Sequence, residues 1–267
     1  ASADGGEVED GPSGAVMARV LACYSDAIRY DETSYKAWHA WAMVNVDVVE
    51  SAVGRAAGES HTLDSMHRSS ESAETAGGDL PPPSRDLVLD HVVSALRGFF
   101  RSIALAGHVE GDSLQDLLRL LTLWFQYGGE SRVDTALADG FDLVHVDTWL
   151  YVLPQIIARV HAPEPRVRSS VQRLLLSVGR HHPQALIFPL AVASHEARSQ
   201  AMAAGVPRPP AAPSANGLTK SGGELAEHIL TQMRSHCDTL VEQVLLVSNE
   251  LIRVAILFRE QWHEALE

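Results

Sequence analysis

Three short motifs in this chain resemble segments that do chemistry in other proteins, and each departs from the pattern that the chemistry needs. His263 begins an HExxH-like run, but Glu267 stands where the second zinc-binding histidine is required. Lys220 precedes a serine as in a phosphate-binding loop, but no glycine comes directly before it. The order Asp139-Gly140-Phe141 differs from the metal-binding DFG of protein kinases, and no HRD catalytic loop is present. The sequence therefore predicts no catalytic residue in this chain.

Histidines and cysteines also fail to form a metal-ligand pattern. His181 and His182 stand directly before Pro183, where a polar turn or a helix cap is the ordinary interpretation. Adjacent histidines do not easily face one ion, and no Asp or Cys stands near them in the sequence. Cys23 and Cys237 are far apart and show no CxxC spacing, so neither a disulfide framework nor a zinc site is predicted. We expect no cofactor or metal in this segment, and a reducing compartment.

The charge and hydropathy patterns exclude two classes of partner. A formal net charge of -13 argues against nucleic acid, which needs a basic face that releases counterions. No stretch approaches the roughly 18 apolar residues of a membrane span, and the acidic start has no signal-peptide core. We expect a cytoplasmic chain. Because it begins without Met and stops inside a predicted helix, we also expect it to be cut from a longer protein.

The elements that must hold this chain together are helices. Apolar residues recur at spacings of three and four, which places them on one helix face. One stripe ends near Ile28, residues 31–33 turn the chain, and a second stripe starts at Tyr35, which predicts a helical hairpin. We expect about nine or ten helices and no strand, arranged as an all-α solenoid of helical hairpins of the TPR or HEAT kind.

Helix ends are marked by capping residues and prolines. Ser113 with Asp116 three residues later predicts a capping box, and Asp147 is a predicted N-cap. Pro154 should kink a helix or mark its first turn, and Pro165 suits a first helical position.

Two segments interrupt the helical pattern. Residues 51–87 are rich in Ser, Thr, Gly, Glu and Asp and are predicted to be a disordered insertion. Residues 203–223 combine Pro, Gly and Ala without periodicity and are predicted to be a flexible linker, and residues 1–14 are predicted to be a disordered acidic start.

Large aromatic side chains on the predicted helix stripes are expected to anchor the core between helix layers. These structural anchors are Trp38, Trp41, Phe99, Phe100, Trp124, Trp149 and Trp262. An exposed aromatic would instead indicate a partner surface, and Trp262 is the strongest candidate for that role.

Several longer motifs carry a family resemblance. Residues 35–42 (YKAWHAWA) and 98–103 (GFFRSI) resemble the FAT region of target of rapamycin (TOR) kinases. Further matching motifs follow in the family's order: LTLWF at 121–125, DTWL at 147–150, PQIIAR at 154–159, HPQALI at 182–187 and LIRVAIL at 251–257. The last of these begins the four-helix rapamycin-binding (FRB) domain in that family. The match covers nearly all of the chain outside the two loops and the acidic start.

The resemblance implies a scaffold segment of a large serine/threonine kinase of the phosphatidylinositol-kinase-related class, whose FAT helices clamp the kinase domain. Residues 15–50 would be a FAT hairpin, 88–202 FAT helical repeats, 224–247 the last FAT helix and 248–267 the truncated first FRB helix. Leu266 matches a position that lines the rapamycin pocket.

The remaining implications concern binding partners. ATP and Mg would be bound beyond residue 267. The implied partners are the protein's own kinase domain, TOR-complex subunits and, through a complete FRB domain, an immunophilin–rapamycin complex, and the longer protein could lie at endomembranes. The alternative is a free-standing helical repeat module that binds a separate protein or peptide.

Overall fold

The chain is helical wherever its structure is described. The computed structural model describes residues 14–66, 84–106, 112–203 and 222–266, and within these ranges every regular element is a helix and none is a strand. The helices are α1 (Gly14–Tyr30), α2 (Tyr35–Met66), α3 (Arg85–Ala106), α4 (Asp112–Tyr127), α5 (Ser131–Phe141), a 3-10 helix (Val146–Val152), α6 (Leu153–Ile157), α7 (Pro165–His181), α8 (Pro183–Ala203) and α9 (Gly222–Leu266). This confirms the predicted all-α class. The chain divides into two compact units, of which the first ends at Tyr127 and the second begins at Gly128.

A tight turn joins α1 to α2 in the first unit. Oδ1 of Asp31 accepts hydrogen bonds from the backbone N–H of Thr33 (3.0 Å) and from its hydroxyl (2.7 Å). The indole N–H of Trp38 donates to the carbonyl of Glu32 at 2.9 Å. Aspartate favours such turns because its short side chain bonds the backbone two residues on. The predicted hairpin is therefore confirmed.

Helices α2 and α3 approach each other closely at a small-residue contact. A Cβ added to Gly98 would lie 2.7 Å from Cβ of Ala42 and 3.1 Å from Cε3 of Trp41. Gly98 and Ala42 are both buried, so a larger side chain at either position has no free space. The next helix, α4, packs on α3. It contributes fully buried side chains at Leu117, Leu120 and Trp124.

Helix α7 is the centre of the second unit, where it packs against α5, the 3-10 helix, α8 and α9. Trp149 of the 3-10 helix is fully buried and meets the ring of Phe141 edge to face at 5.5 Å. Pro154 lies in the first turn of α6, which decides between its two predicted roles. Pro165 is the first residue of α7, as predicted.

The predicted insertion at 51–87 has wrong boundaries at both ends. Helix α2 continues to Met66 and α3 begins at Arg85. The segment 51–66 contains good helix formers among its polar residues, and Ala52 is buried, so packing and propensity prolong the helix. Residues 67–83 lie outside the described residues.

The ends of the second predicted loop nearly coincide with helix ends, since α8 ends at Ala203 and α9 begins at Gly222. Residues 204–221 lie outside the described residues, as do 1–13 of the predicted acidic start.

The predicted break between 224–247 and 248–267 is not a helix boundary. Helix α9 runs from Gly222 to Leu266 with one kink, at Cys237, where φ is -147° and ψ is 54°. No Pro or Gly occurs after Gly223, so nothing in the backbone ends the helix near residue 248. The assignment of residues 248–267 to an FRB domain stays a prediction.

The predicted N-cap at Asp147 is also wrong. His145 is the N-cap of the 3-10 helix, and its ring accepts from the backbone N–H of Asp147 at 3.4 Å. Aspartate is a preferred N-cap residue, so the sequence predicted the cap at Asp147, but His145, two residues earlier, occupies the cap position.

The close approach at Gly98 gives a first prediction. Gly98→Ala should lower the free energy of unfolding by about 1–3 kcal/mol, because the clashing Ala42 Cβ is fixed to the backbone and cannot rotate away. The matched control is Gly54→Ala, where an added Cβ meets nothing within 4 Å. That control should stabilise helix α2 by up to about 1 kcal/mol. Chemical unfolding followed by circular dichroism measures both, and equal stability of the two variants would contradict the packing described.

Candidate functional site

A buried carboxyl group joins three helices of the first unit. Asp116 of α4 is completely buried. The hydroxyl of Ser102, on α3, donates to its Oδ2 at 2.7 Å. From α2, Nδ1 of His39 lies 2.8 Å from Oδ1, and the hydroxyl of Tyr35 lies 3.5 Å from Oδ2. We call these four residues the Asp116 cluster. A buried carboxyl group without such partners would be strongly destabilising.

The Asp116 cluster replaces the predicted capping box. Helix α4 begins at Asp112, so Ser113 lies inside it rather than at its cap. The carboxyl group of Asp116 turns to α2 and α3 instead of to the start of its own helix. The local spacing of Ser and Asp fitted a cap, whereas the actual partners are distant in sequence.

The Asp116 cluster contains Ser, His and Asp, the residue types of a hydrolytic triad, but its geometry is structural. In a triad the serine hydroxyl bonds the histidine and faces the substrate. Here the Ser102 hydroxyl donates to Asp116, its oxygen lies 3.0 Å from the carbonyl oxygen of Phe99, and Ser102 is completely buried. No substrate reaches this hydroxyl. The cluster fixes the register of three helices.

A second polar pair links α2 and α3. The amide of Asn45, which is buried, donates to the carbonyl of Trp41 at 2.8 Å. Its Oδ1 lies 2.9 Å from Nδ1 of His91, so this ring nitrogen carries the hydrogen. Burial lowers the pKa of His91 from its ordinary 6.5, and the neighbouring Asp90 partly opposes this effect.

The adjacent histidines of the second unit diverge. Nε2 of His182 lies 2.5 Å from the carboxyl group of Asp147, and the ring of His145 lies 3.4 Å from its other oxygen. His181 instead contacts the carbonyl of Ser177 in its own helix at 3.0 Å. His181 is the last residue of α7 and His182 is its C-cap, so of the two interpretations predicted for this pair, a polar turn or a helix cap, the structure shows the cap. Across the described part of the chain, no three His, Cys, Asp or Glu side chains are arranged to hold a metal ion.

Comparisons with known proteins agree with this architecture. The family model of the FAT domain matches residues 13–122. The Drosophila melanogaster serine/threonine-protein kinase mTor is 40% identical over 247 residues, which is 92% of this chain and 9% of that protein. Serine/threonine-protein kinase tor1 of Schizosaccharomyces pombe is 40% identical over 248 residues, 93% of this chain and 9% of the kinase.

The similarity extends to plants. Arabidopsis thaliana serine/threonine-protein kinase TOR is 40% identical over 234 residues, 87% of this chain and 7% of that kinase. Residues 13–122 therefore form a FAT domain. The resemblance to TOR kinases is thereby confirmed, and the chain spans less than a tenth of the length of these relatives. No helix of the described ranges is both long and apolar enough to cross a bilayer.

The predicted anchors of the chain differ in burial. Phe99, Phe100, Trp124 and Trp149 are fully buried. Trp38 and Trp41 are half-buried and meet edge to face at 5.9 Å. Trp262 is 66% exposed and Leu266, the predicted drug-contact residue, is 81% exposed, so neither belongs to a core in this structure.

Sequence reasoning missed the Asp116 cluster. The sequence did contain one local signal, which is that Tyr35 and His39 are four residues apart and so lie on the same face of α2. In the structure their rings stack at 5.7 Å. Polar rings on an otherwise apolar stripe indicate a polar partner in the core. The identity of that partner, on α4, has no local signal.

The Asp116 cluster gives a second prediction. Asp116→Ala should lower the free energy of unfolding by about 2–4 kcal/mol, because the buried Ser102 hydroxyl and the His39 ring lose their partner. Asp134→Ala is the control, since it removes a surface ion pair with Arg173 and should cost less than about 1 kcal/mol. Urea unfolding compares the two, and equal losses would show that the cluster does not stabilise the fold.

A third prediction concerns pH. His91 binds a proton more readily in the unfolded chain, because its pKa is lowered in the folded state. The contribution of His91 to the free energy of unfolding is therefore fully present above about pH 6.5, and it is lost as the pH falls through 6.5 toward the lowered pKa of the folded protein. His91→Gln should therefore flatten the loss of stability between about pH 7.5 and 5.5, while the exposed control His236→Gln should not. Urea midpoints at both pH values test this, and parallel profiles for all three proteins would refute it.

Proposed function

We propose that this chain is a non-catalytic helical scaffold of a TOR-type serine/threonine kinase, where it clamps the kinase domain and supports complex assembly in nutrient and growth signalling. The observation that carries the proposal is the Asp116 cluster. Among the described residues, Asp116 is the one buried acidic or basic side chain, and its contacts hold helices together rather than face a substrate. The relatives are serine/threonine-protein kinases, which supports placing this scaffold in a kinase of that type.

Rigid packing is the proposed mechanism. Helices whose register is fixed by buried polar contacts move as one body, and such a body can bias the opening of a domain that it contacts. Changes at helix interfaces would then alter phosphotransfer without touching ATP or Mg, which we assign to the kinase domain of the longer cytoplasmic protein.

The end of α9 supports a further part of the proposal. Leu251, Trp262 and Leu266 are exposed by 57%, 66% and 81%, although each is large and apolar. Exposed apolar groups gathered on one helix mark an interaction surface. We propose that this end is the first helix of an FRB domain, which further helices would cover and where Leu266 would contact rapamycin.

A fourth prediction tests the scaffold. The chain should replace the matching segment of the Schizosaccharomyces pombe kinase tor1 and retain phosphotransfer activity, measured on the purified chimera. Trp124→Ala in the chimera should reduce activity strongly, because losing this fully buried side chain costs about 3–5 kcal/mol. The milder Trp124→Phe should give an intermediate loss.

Tyr151→Ala is the control for this prediction, since that aromatic ring is 66% exposed and its removal should leave activity unchanged. Full activity and unchanged stability of the Trp124→Ala chimera would rule out the scaffold role. The rival, a free-standing repeat module, instead requires the isolated chain to unfold cooperatively as a monomer.

A further inference from the structure

An open groove lies between α2 and α4 of the first unit. We call it the α2/α4 groove, and it is lined by residues between Met43 and Gly54 on α2 and between Arg119 and Tyr127 on α4. Its volume is about 550 Å³. That volume is in the range of sites that accept a substantial ligand group or several side chains.

The lining of the α2/α4 groove is apolar at its base. Val46, Val49 and Leu123 line it and are exposed by only 8%, 3% and 5%. Val53, one helical turn beyond Val49, is 44% exposed and lines the same groove. The floor of the groove is therefore well packed, and Val53 presents the apolar surface that an apolar side chain from outside could cover.

The rim of the groove is acidic on the α2 side. Asp47 and Glu50 are three residues apart on this helix, and both are exposed. The one cation of the described lining is Arg119, whose guanidinium donates to the sulfur of Met43 across the groove. The described lining thus carries two carboxylates and one guanidinium, and the net charge of the whole chain is -13. Basic groups would be attracted to this rim and acidic groups repelled.

Among the described residues, one end of the groove is open. A Cβ added to Gly54 would meet none of their atoms within 4 Å. On the α4 side, burial raises the pKa of Tyr127, consistent with a phenol that is sheltered by the groove wall.

We propose that the α2/α4 groove is a docking site for an amphipathic helix of a partner protein that carries an apolar face flanked by Lys or Arg. An apolar floor beside a charged rim is the arrangement that binds helices through side chains at i, i+3, i+4 and i+7. The rim selects against the acidic segments of this chain itself, such as the run from Glu7 to Asp10. This proposal is independent of the scaffold function, because docking requires no kinase domain.

The test uses a synthetic fluorescent helix with leucines at i, i+3, i+4 and i+7 and lysines along one edge. A twin peptide carries glutamates in place of the lysines. Fluorescence anisotropy with the full chain, residues 1–267, should show the basic helix binding at least about tenfold tighter than its acidic twin. Its affinity should fall as salt is added, because the rim charges are exposed.

Two pairs of variants locate the binding. Gly54→Leu fills the open end of the groove and should weaken binding at least about tenfold, while Gly54→Ala should leave it unchanged. Asp47→Asn with Glu50→Gln should weaken binding about fivefold. The matched control, Asp238→Asn with Glu242→Gln, removes two exposed charges from α9 and should have no effect.

Circular dichroism shows whether each variant keeps its fold. If Gly54→Leu fails to fold, the rim pair decides, since it changes only exposed side chains. Failure of the basic helix to bind, equal binding of the acidic twin, or wild-type binding by the rim variant would each overturn the proposal.

Discussion

The structure of the first unit depends on a single constraint, which is that a carboxyl group without access to water must be surrounded by hydrogen-bonding partners. Asp116 meets this constraint with one partner from α3 and two from α2. Sliding any of the three helices by a residue would separate the carboxyl group from these partners and leave it unsatisfied. The apolar core supplies most of the stability, whereas the carboxyl group selects one arrangement of that core.

Packing and polarity act together in this unit. At Gly98 the absence of a side chain lets α2 and α3 approach closely. The same two helices are also joined by the contact between Asn45 and His91. Because α2 and α3 approach closely, their polar side chains are near enough to form hydrogen bonds. These hydrogen bonds in turn restrict how the apolar surfaces of the two helices can pack. A scaffold needs both properties, since it must transmit a contact at one face without deforming.

The local spacing of apolar residues predicted the helices well, but it did not predict which residues from distant parts of the chain contact each other. Trp124 and Trp149 lie on apolar stripes, and both are buried. The prediction failed where composition was the only guide, because the polar segment after residue 50 continues helix α2. It also missed the Asp116 cluster, whose contacts with α2 join residues 77 and 81 positions apart. Spacings of three and four carry no information about such pairs.

The kink at Cys237 divides α9 into a shorter first part and a longer second part. Leu225, Ile229 and Met233 are buried before the kink and Val241 and Ser248 are buried after it, whereas Leu251, Trp262 and Leu266 near the end of the helix are exposed. From Cys237 to Leu266 the helix rises about 44 Å, at about 1.5 Å per residue. A rotation of about 10° at the kink would therefore displace Leu266 by about 8 Å. A small change of the angle at one cysteine would thus become a large displacement of the apolar tip.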